Sequence, residues 1–396
     1  MKKVIATLIT FCLSFTSLSS VNIEAPSLKN GHSKTNECCT LLSTQDNNSR
    51  IEPSSRSIKE VLAAVPEGYA LPIKESMSLI AKEEAVDKIQ FKPLIGGGAK
   101  AKIFRVDIGN KKYVLRLLDE KLPIERRRSE INAHKIGAEL QIAPKIIYVD
   151  QRLSVMVMEF IEGRTLTRDD LNNVEIVKEV MKALKTFHQF LHEGQLVSRT
   201  KVAAIQELYD RYQNKKGVVF PSCFEQLYRN LQADFSDLKI EHRPSHGDFN
   251  PRNILVTDQG RIYIIDWDQA SIDHPFLDIA WLSTFLGANN EQMKGLLKEY
   301  LGREPNAYEL NEALYFKDVT TFVVATLWIG RQEERDQGKL DSILEGPLKK
   351  GSTYIREGVT VEDVLQGKGM GITQYSLGWL KEFIENRSSY HHNTRD

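Results

Sequence analysis

Ser245-His246-Gly247-Asp248-Phe249-Asn250-Pro251-Arg252-Asn253-Ile254-Leu255-Val256, followed shortly by Ile262-Tyr263-Ile264-Ile265-Asp266-Trp267-Asp268, is the stretch on which the reading of the whole chain turns. Two strand-like runs, Ile254–Val256 and Arg261–Ile265, flank the turn residues Asp258-Gln259-Gly260, which predicts a hairpin. Such a hairpin brings Asn253, just before its first strand, beside Asp266, just after its second. Asp248 lies five residues before Asn253 on a loop containing Gly and Pro. A lone Asp in a loop is ordinarily a turn or cap residue. Asp266 resists that explanation, because it ends an almost wholly apolar run where an uncompensated carboxylate is costly. Two oxygen ligands together, with a separate carboxylate nearby, suit a Mg²⁺ that holds a polyphosphate while a base takes a hydroxyl proton.

Outward from this stretch, the preceding part of the chain alternates like strands. Lys88–Ile95, Lys102–Ile108 and Tyr113–Leu118 predict an antiparallel meander, with Gly96-Gly97-Gly98 in its first connection and Gly109-Asn110 in its second. Pro123–Leu140 has helical spacing, and the strands Lys145–Val149 and Ser154–Met158 follow. Beyond a break at Glu159–Gly163 the period is helical: Val174–His192, Ala203–Tyr212, Phe224–Leu238, Phe276–Leu286, Glu291–Leu301, Tyr308–Arg331, Leu340–Lys349 and Gln374–Glu385. Only the one hairpin interrupts those helices. The expected fold is α+β, with a small β-rich N-lobe over residues 58–158 and a larger, mainly helical C-lobe over residues 159–390.

In the small lobe, the glycines at 96, 97 and 98 could let backbone N–H groups approach phosphates, though a glycine hairpin turn explains them as well. Arg116 shares its strand face with Val114 and Leu118, so its guanidinium projects from an apolar surface and needs an anion. Glu130 on the following helix is the expected partner, and the pair could hold the α- and β-phosphates of ATP; a structural ion pair between sheet and helix is the alternative. Glu159 and Ile161, in the break between lobes, complete the candidate nucleotide contacts.

At His246-x-Asp248-x-x-x-x-Asn253 followed by Ile265-Asp266-Trp267, the chain resembles the aminoglycoside phosphotransferase and choline kinase superfamily, whose fold is protein-kinase-like. The resemblance covers residues 89–329. It implies Asp248 as catalytic base, His246 as a structural partner of the catalytic loop, and Asn253 and Asp266 as Mg²⁺ ligands. It also implies that Asp278, within Asp273-His274-Pro275-Phe276-Leu277-Asp278, braces that loop. Arg at 116, where protein kinases use Lys, together with Met158–Leu166, looks like the choline and thiamine kinase-like branch. A choline headgroup would call for aromatic faces. The candidates are Trp267, Trp281 and Trp328, with Asp268 nearby. Thr326-Leu327-Trp328 resembles a choline kinase helix with two cage tryptophans, but the earlier position is Ala325, so one wall is missing. An acidic pocket from Glu333, Glu334 and Asp336 would suit an aminoglycoside instead, though a charged helix end is the ordinary reading.

Composition bounds the rest. The 396 residues suffice for two or three domains, and 41% apolar with 27% charged residues is a globular balance. With 53 basic against 53 acidic side chains, no global field favours nucleic acid or an anionic membrane. Four cysteines, one in the leader and two adjacent, form neither a disulfide framework nor a zinc site. Residues 1–20 carry Lys2 and Lys3, an apolar run from Val4 to Phe15, and then small residues, which is the layout of a secretory signal peptide. The run is too short for a stable membrane span. Residues 21–57 are polar and predict a disordered linker. The expectation is a kinase for a small-molecule alcohol, using ATP and Mg²⁺, exported by its leader, with a cytoplasmic location as the alternative. The competing function is an exported pseudokinase or a nucleotide-binding interaction module without turnover. Oligomeric state is left open.

Overall fold

The computed structural model describes residues 55–81, 88–94, 102–191, 194–198, 200–215, 217–236 and 241–390. The expected leader, nearly all of the linker, and Gly96, Gly97 and Gly98 lie outside the described residues. The chain divides into two compact units: Met1–Arg127 with Ile146–Phe160, and Arg128–Lys145 with Ile161–Asp396.

The first unit contains β1 (Arg56–Ser57), α1 (Ile58–Ala64), α2 (Glu67–Ala81), β2 (Gln90–Leu94), β3 (Lys102–Ile108), β4 (Lys111–Leu117), the start of α3 (Ile124–Glu139), β5 (Ile146–Val149) and β6 (Val155–Glu159). Its six strands form one sheet in the order β1-β2-β3-β4-β6-β5, and every neighbouring pair is antiparallel. The meander is the expected one. The two helices before it are an addition: residues 58–81 carry no strand alternation, and Ser57 opens α1 with a capping box closed by Glu60. Pro72 lies inside α2 and has no N–H for the carbonyl of Gly68 one turn earlier. The Arg152 guanidinium donates to that carbonyl at 2.6 Å, so the helix continues without an orphaned acceptor. Ile73 and Met77 of α2 pack with Phe91, Val106, Leu115 and Val157 of the sheet as the core of this unit.

The second unit holds the rest of α3, then β7 (Arg164–Thr165), α4 (Val174–His188), α5 (Lys201–Gln213), α6 (Phe224–Ser236), β8 (Arg243–Ser245), β9 (Ile254–Val256), β10 (Ile262–Ile264) and β11 (Ser271–Asp273). These are followed by α7 (Pro275–Phe285), α8 (Asn290–Leu301), α9 (Ala307–Ile329), α10 (Gln337–Glu345), α11 (Gly351–Arg356), α12 (Val361–Leu365) and α13 (Ile372–Tyr390). The expected hairpin is present as β9 and β10, with Ile254 opposite Ile264. It is not the only β structure here: β7 adds to β9, and β8 pairs with β11. These extra strands have two or three residues, too few to display a period of two, and Pro244 within β8 reads as a loop residue. Helices α7 and α9 are buried on nearly all sides and run through the interior, α9 carrying Lys317 and Asp318 among its buried residues. Helix α13 packs along α9, with the Phe322 and Phe383 rings 4.9 Å apart. No helix among the described residues is long and apolar enough to cross a membrane.

Candidate active site

The loop between β8 and β9 is shaped first by Gly247, which sits at φ +77°, where a Cβ would also overlap the carbonyl oxygen of Gln269. Beyond it, Asn250 accepts a hydrogen bond from Arg252 N at 3.0 Å and caps the 3-10 turn Pro251–Asn253, which delivers the chain into β9. The hairpin then acts as the sequence predicts. Ile265 N donates to the Asn253 carbonyl at 2.9 Å, so Asn253 and Asp266 stand next to one another. Asp266 adopts the left-handed conformation, φ 62° and ψ 64°, which turns the chain sharply into the 3-10 turn Trp267–Gln269.

Asp278, on the first turn of α7, holds the loop from below. Its Oδ2 accepts from His246 N at 2.7 Å and its Oδ1 from Gly247 N at 2.8 Å. The side chain is fully buried, and burial alone would push its pKa up. The His188 hydrogen bond, the His188 and His246 rings and the Gly247 N–H outweigh that cost and hold the carboxyl below its ordinary range. His188, at the end of α4, contacts Asp278 Oδ2 through Nε2 at 3.0 Å and the Tyr300 hydroxyl through Nδ1 at 2.9 Å. These partners assign the tautomer with Nε2 donating to the carboxylate and Nδ1 accepting from the phenol.

Asp248 is half-buried and well supplied with donors. Trp281 Nε1 reaches its Oδ1 at 2.7 Å and Asn250 Nδ2 the same oxygen at 3.0 Å. The Asn253 amide donates to the Asp248 carbonyl at 2.9 Å and to Oδ2 at 3.3 Å. Because Nδ2 of Asn253 is committed to Asp248, its amide oxygen is the arm left to ligate an ion. With the side chain of Asp266, its neighbour across the hairpin, it would supply a pair of hard oxygen donors. That pair fits Mg²⁺, which takes few protein ligands and completes its octahedron with phosphates and water.

His246 is the loop's structural partner: fully buried, with Nε2 3.0 Å from the Ile265 carbonyl and Nδ1 accepting from Asp248 N at 3.3 Å. Arg116 is buried in β4 of the first unit, opposite Ile103 and Met156, and Glu130 is buried on α3 in the second. Glu159 is exposed at the end of β6, and Ile161 is half-buried as the second unit begins. Asp268 is half-buried in the turn after Asp266.

The tryptophans correct the expected cation cage. Trp267 is 1% exposed, donates to the Ile264 carbonyl at 3.1 Å and packs against Phe187 and His246, so it is core and offers no face to a ligand. Trp328 is 6% exposed, meets Tyr375 edge-on at 4.9 Å, and has the Arg331 guanidinium over its ring at 5.1 Å, a resident cation where a ligand cation was expected. Trp281 turns its N–H to Asp248. The acidic segment is likewise an ordinary helix end, since Asp336 caps α10 and Glu334 pairs with Lys339 at 2.6 Å. His188, Tyr300 and the bond from Trp281 escaped sequence reasoning; a buried polar residue at the end of an amphipathic helix was the one available signal for His188.

Residues 93–310 match the phosphotransferase enzyme family. The LicA homolog of Mycoplasma capricolum is 28% identical over 205 residues, 50% of this chain and 78% of that protein. Among solved structures, the choline kinase LicA from Streptococcus pneumoniae superposes with a TM-score of 0.56 at 18% identity, covering 82% of this chain and 100% of that one. A choline/ethanolamine kinase family protein from Mesorhizobium loti gives 0.52 at 18% identity, over 79% and 99%. These likenesses show the kinase-like α+β fold.

Proposed function

The chain belongs to the phosphotransferase enzyme family, and from that premise we propose a small-molecule kinase that moves the γ-phosphoryl group of ATP to a hydroxyl of a choline-, thiamine- or aminoglycoside-like acceptor. ATP-dependent transfer to a hydroxyl follows from the family itself. The finer reading rests on one observation: Asp248 is presented on a loop clamped by Asp278, beside the oxygen pair Asn253 and Asp266. In that arrangement the acceptor hydroxyl gives its proton to Asp248 as its oxygen bonds the γ-phosphorus and the bond to the β-phosphate oxygen breaks. Asn253 and Asp266 would hold Mg²⁺, which when bound offsets the charge of the β- and γ-phosphates. Retention of the base and both oxygen donors in one place favours turnover over a module that binds nucleotide alone. Export by residues 1–20 belongs to the same proposal, and an intact Met1 in a cytosolic fraction would overturn it.

The experiment is acceptor-dependent ADP formation from Mg·ATP with choline, ethanolamine, thiamine and several aminoglycosides. The named relatives put the amino alcohols first. Stimulation by one class assigns the acceptor, and no stimulation by any overturns this choice of substrates. Asp266→Ala should abolish Mg²⁺-dependent nucleotide binding by calorimetry, and an unchanged dissociation constant would remove Asp266 from the metal site.

A further inference from the structure

Arg331 stands just past the end of α9 and lays its guanidinium over the Trp328 ring, 5.1 Å from the ring centre. A guanidinium carries five N–H donors. Those of Arg331 have neither a hydrogen-bond acceptor nor a carboxylate among the described residues, and Nε is sealed from water. Burial pulls the group below its ordinary range, and Tyr212, a phenol uncharged at neutral pH, is the one neighbour acting the other way. The acceptors close by in sequence are taken. The Gly330 carbonyl accepts from Lys215 at 3.4 Å, Glu334 pairs with Lys339 at 2.6 Å, and Asp336 caps α10. The Trp328 face returns only part of the hydration that the guanidinium gives up. Such a group calls for an anion.

We propose that Arg331 sets acceptor specificity by binding a carboxylate on the molecule that is phosphorylated, so that the acceptor is a hydroxy acid. The inference rests on the reading of the protein as a small-molecule kinase and names the class of its acceptor. Arg331 as a whole is half-buried, so a ligand can reach it from solvent. Trp328 beneath it meets Tyr375 edge-on at 4.9 Å, and the Tyr375 hydroxyl feels the charge of Arg252, four residues past Asp248 on the same loop. The end of α9 is thereby tied to the loop that presents Asp248. A carboxylate matches the guanidinium fork with two parallel hydrogen bonds. The same resident charge repels a quaternary ammonium from the Trp328 face, so the arrangement selects against choline as well as for an acid. Exposed Lys215, whose Nζ lies 6.0 Å from the centre of the Tyr212 ring, adds positive charge on this side.

The test uses two pairs of compounds that differ by the carboxylate alone, L-serine with ethanolamine and L-homoserine with aminopropanol, on the full chain. Calorimetry reads binding without turnover, and ADP formation from Mg·ATP then reads turnover. The carboxylated member of at least one pair should bind roughly tenfold or more tightly than its counterpart. Arg331→Gln should raise the dissociation constant of that acid by roughly ten- to a hundredfold, the range for hydrogen bonds to a charged group, and Arg331→Lys should recover part of the loss. Equal binding within both pairs in the parent overturns the proposal even if no variant folds, and so does a preference that survives in folded Arg331→Gln. Inorganic phosphate displacing L-homoserine at equal concentration overturns it too, since the site would then take free anions. If choline is phosphorylated in preference to both acids, the kinase reading stands and the role of Arg331 fails. If neither acid nor any amino alcohol is phosphorylated while binding keeps its dependence on Arg331, the carboxylate site stands and the choice of kinase acceptors fails.

Discussion

Asp278 on α7 and Asp318 on α9 are the same residue type, both within the second unit and both almost wholly buried, yet their carboxyls are driven in opposite directions. Asp278 receives the His188 ring and two backbone N–H groups and stays below the ordinary carboxylate range despite its burial. Asp318 has a long bond from Asn386 at 3.5 Å, feels Arg387 and Lys317 on one side and Glu382 on the other, and burial pushes it up to about 7. Depth is equal, so depth does not decide ionisation. Oriented donors decide it, and Asp278 receives them from the loop that carries Asp248.

The largest effect is expected where donors would be orphaned. Asp278→Ala leaves the N–H groups of His246 and Gly247 and the His188 ring without their acceptor, and should cost about 3–5 kcal/mol. The loosened loop should lower turnover by roughly 10²-fold or more. Denaturant titration together with kcat measures both, and a stable, active variant would dissolve the contrast. Asp248→Asn should lower turnover by roughly 10²–10⁴. Stability should change by less than about 1 kcal/mol, because the amide oxygen still accepts from Trp281 and Asn250. Parental turnover in the purified variant would remove Asp248 from the chemistry.

Asp318→Asn sharpens the comparison from the other side. A carboxyl whose folded pKa lies above its unfolded value contributes stability below about pH 4 and loses it as pH rises through the folded value near 7. The parent should therefore weaken between about pH 4 and 7, and the variant should lack that slope, gaining on the order of 2–4 kcal/mol at pH 8. Asp278 works in the opposite sense, stabilising at neutral pH and losing that contribution as pH falls through its depressed value. Denaturant titrations across pH separate the two, and parallel profiles for parent and Asp318→Asn would refute the buried-acid reading. The smallest effect belongs to Tyr300→Phe, which takes the hydroxyl from His188 Nδ1 and should cost about 1 kcal/mol, with turnover within a few-fold.

The loop proposed to carry the chemistry was legible because its polar residues are compressed. Asp248, Asn253 and Asp266 fall within 19 residues on one loop and one hairpin, and a tight turn leaves little freedom in how such a hairpin pairs. The brace was less so. His188 precedes Asp278 by 90 positions and Tyr300 follows it by 22, and in sequence each resembles an ordinary helix residue. Tryptophans misled for a related reason: Trp267, Trp281 and Trp328 have the same composition and similar apolar settings, and only packing shows that the first is core, the second a hydrogen-bond donor and the third already covered by Arg331.

By itself the sequence determined the α+β class, the meander, the succession of helices, and the identity and adjacency of the loop residues, because period, turn chemistry and short-range spacing are local properties of the chain. Tertiary structure alone decided in which direction each buried carboxyl is driven, which tryptophan meets Asp248, and why residue 247 must be glycine. Each depends on atoms brought within about 3 Å from distant segments, and at that range hydrogen-bond direction, which no local pattern encodes, outweighs burial.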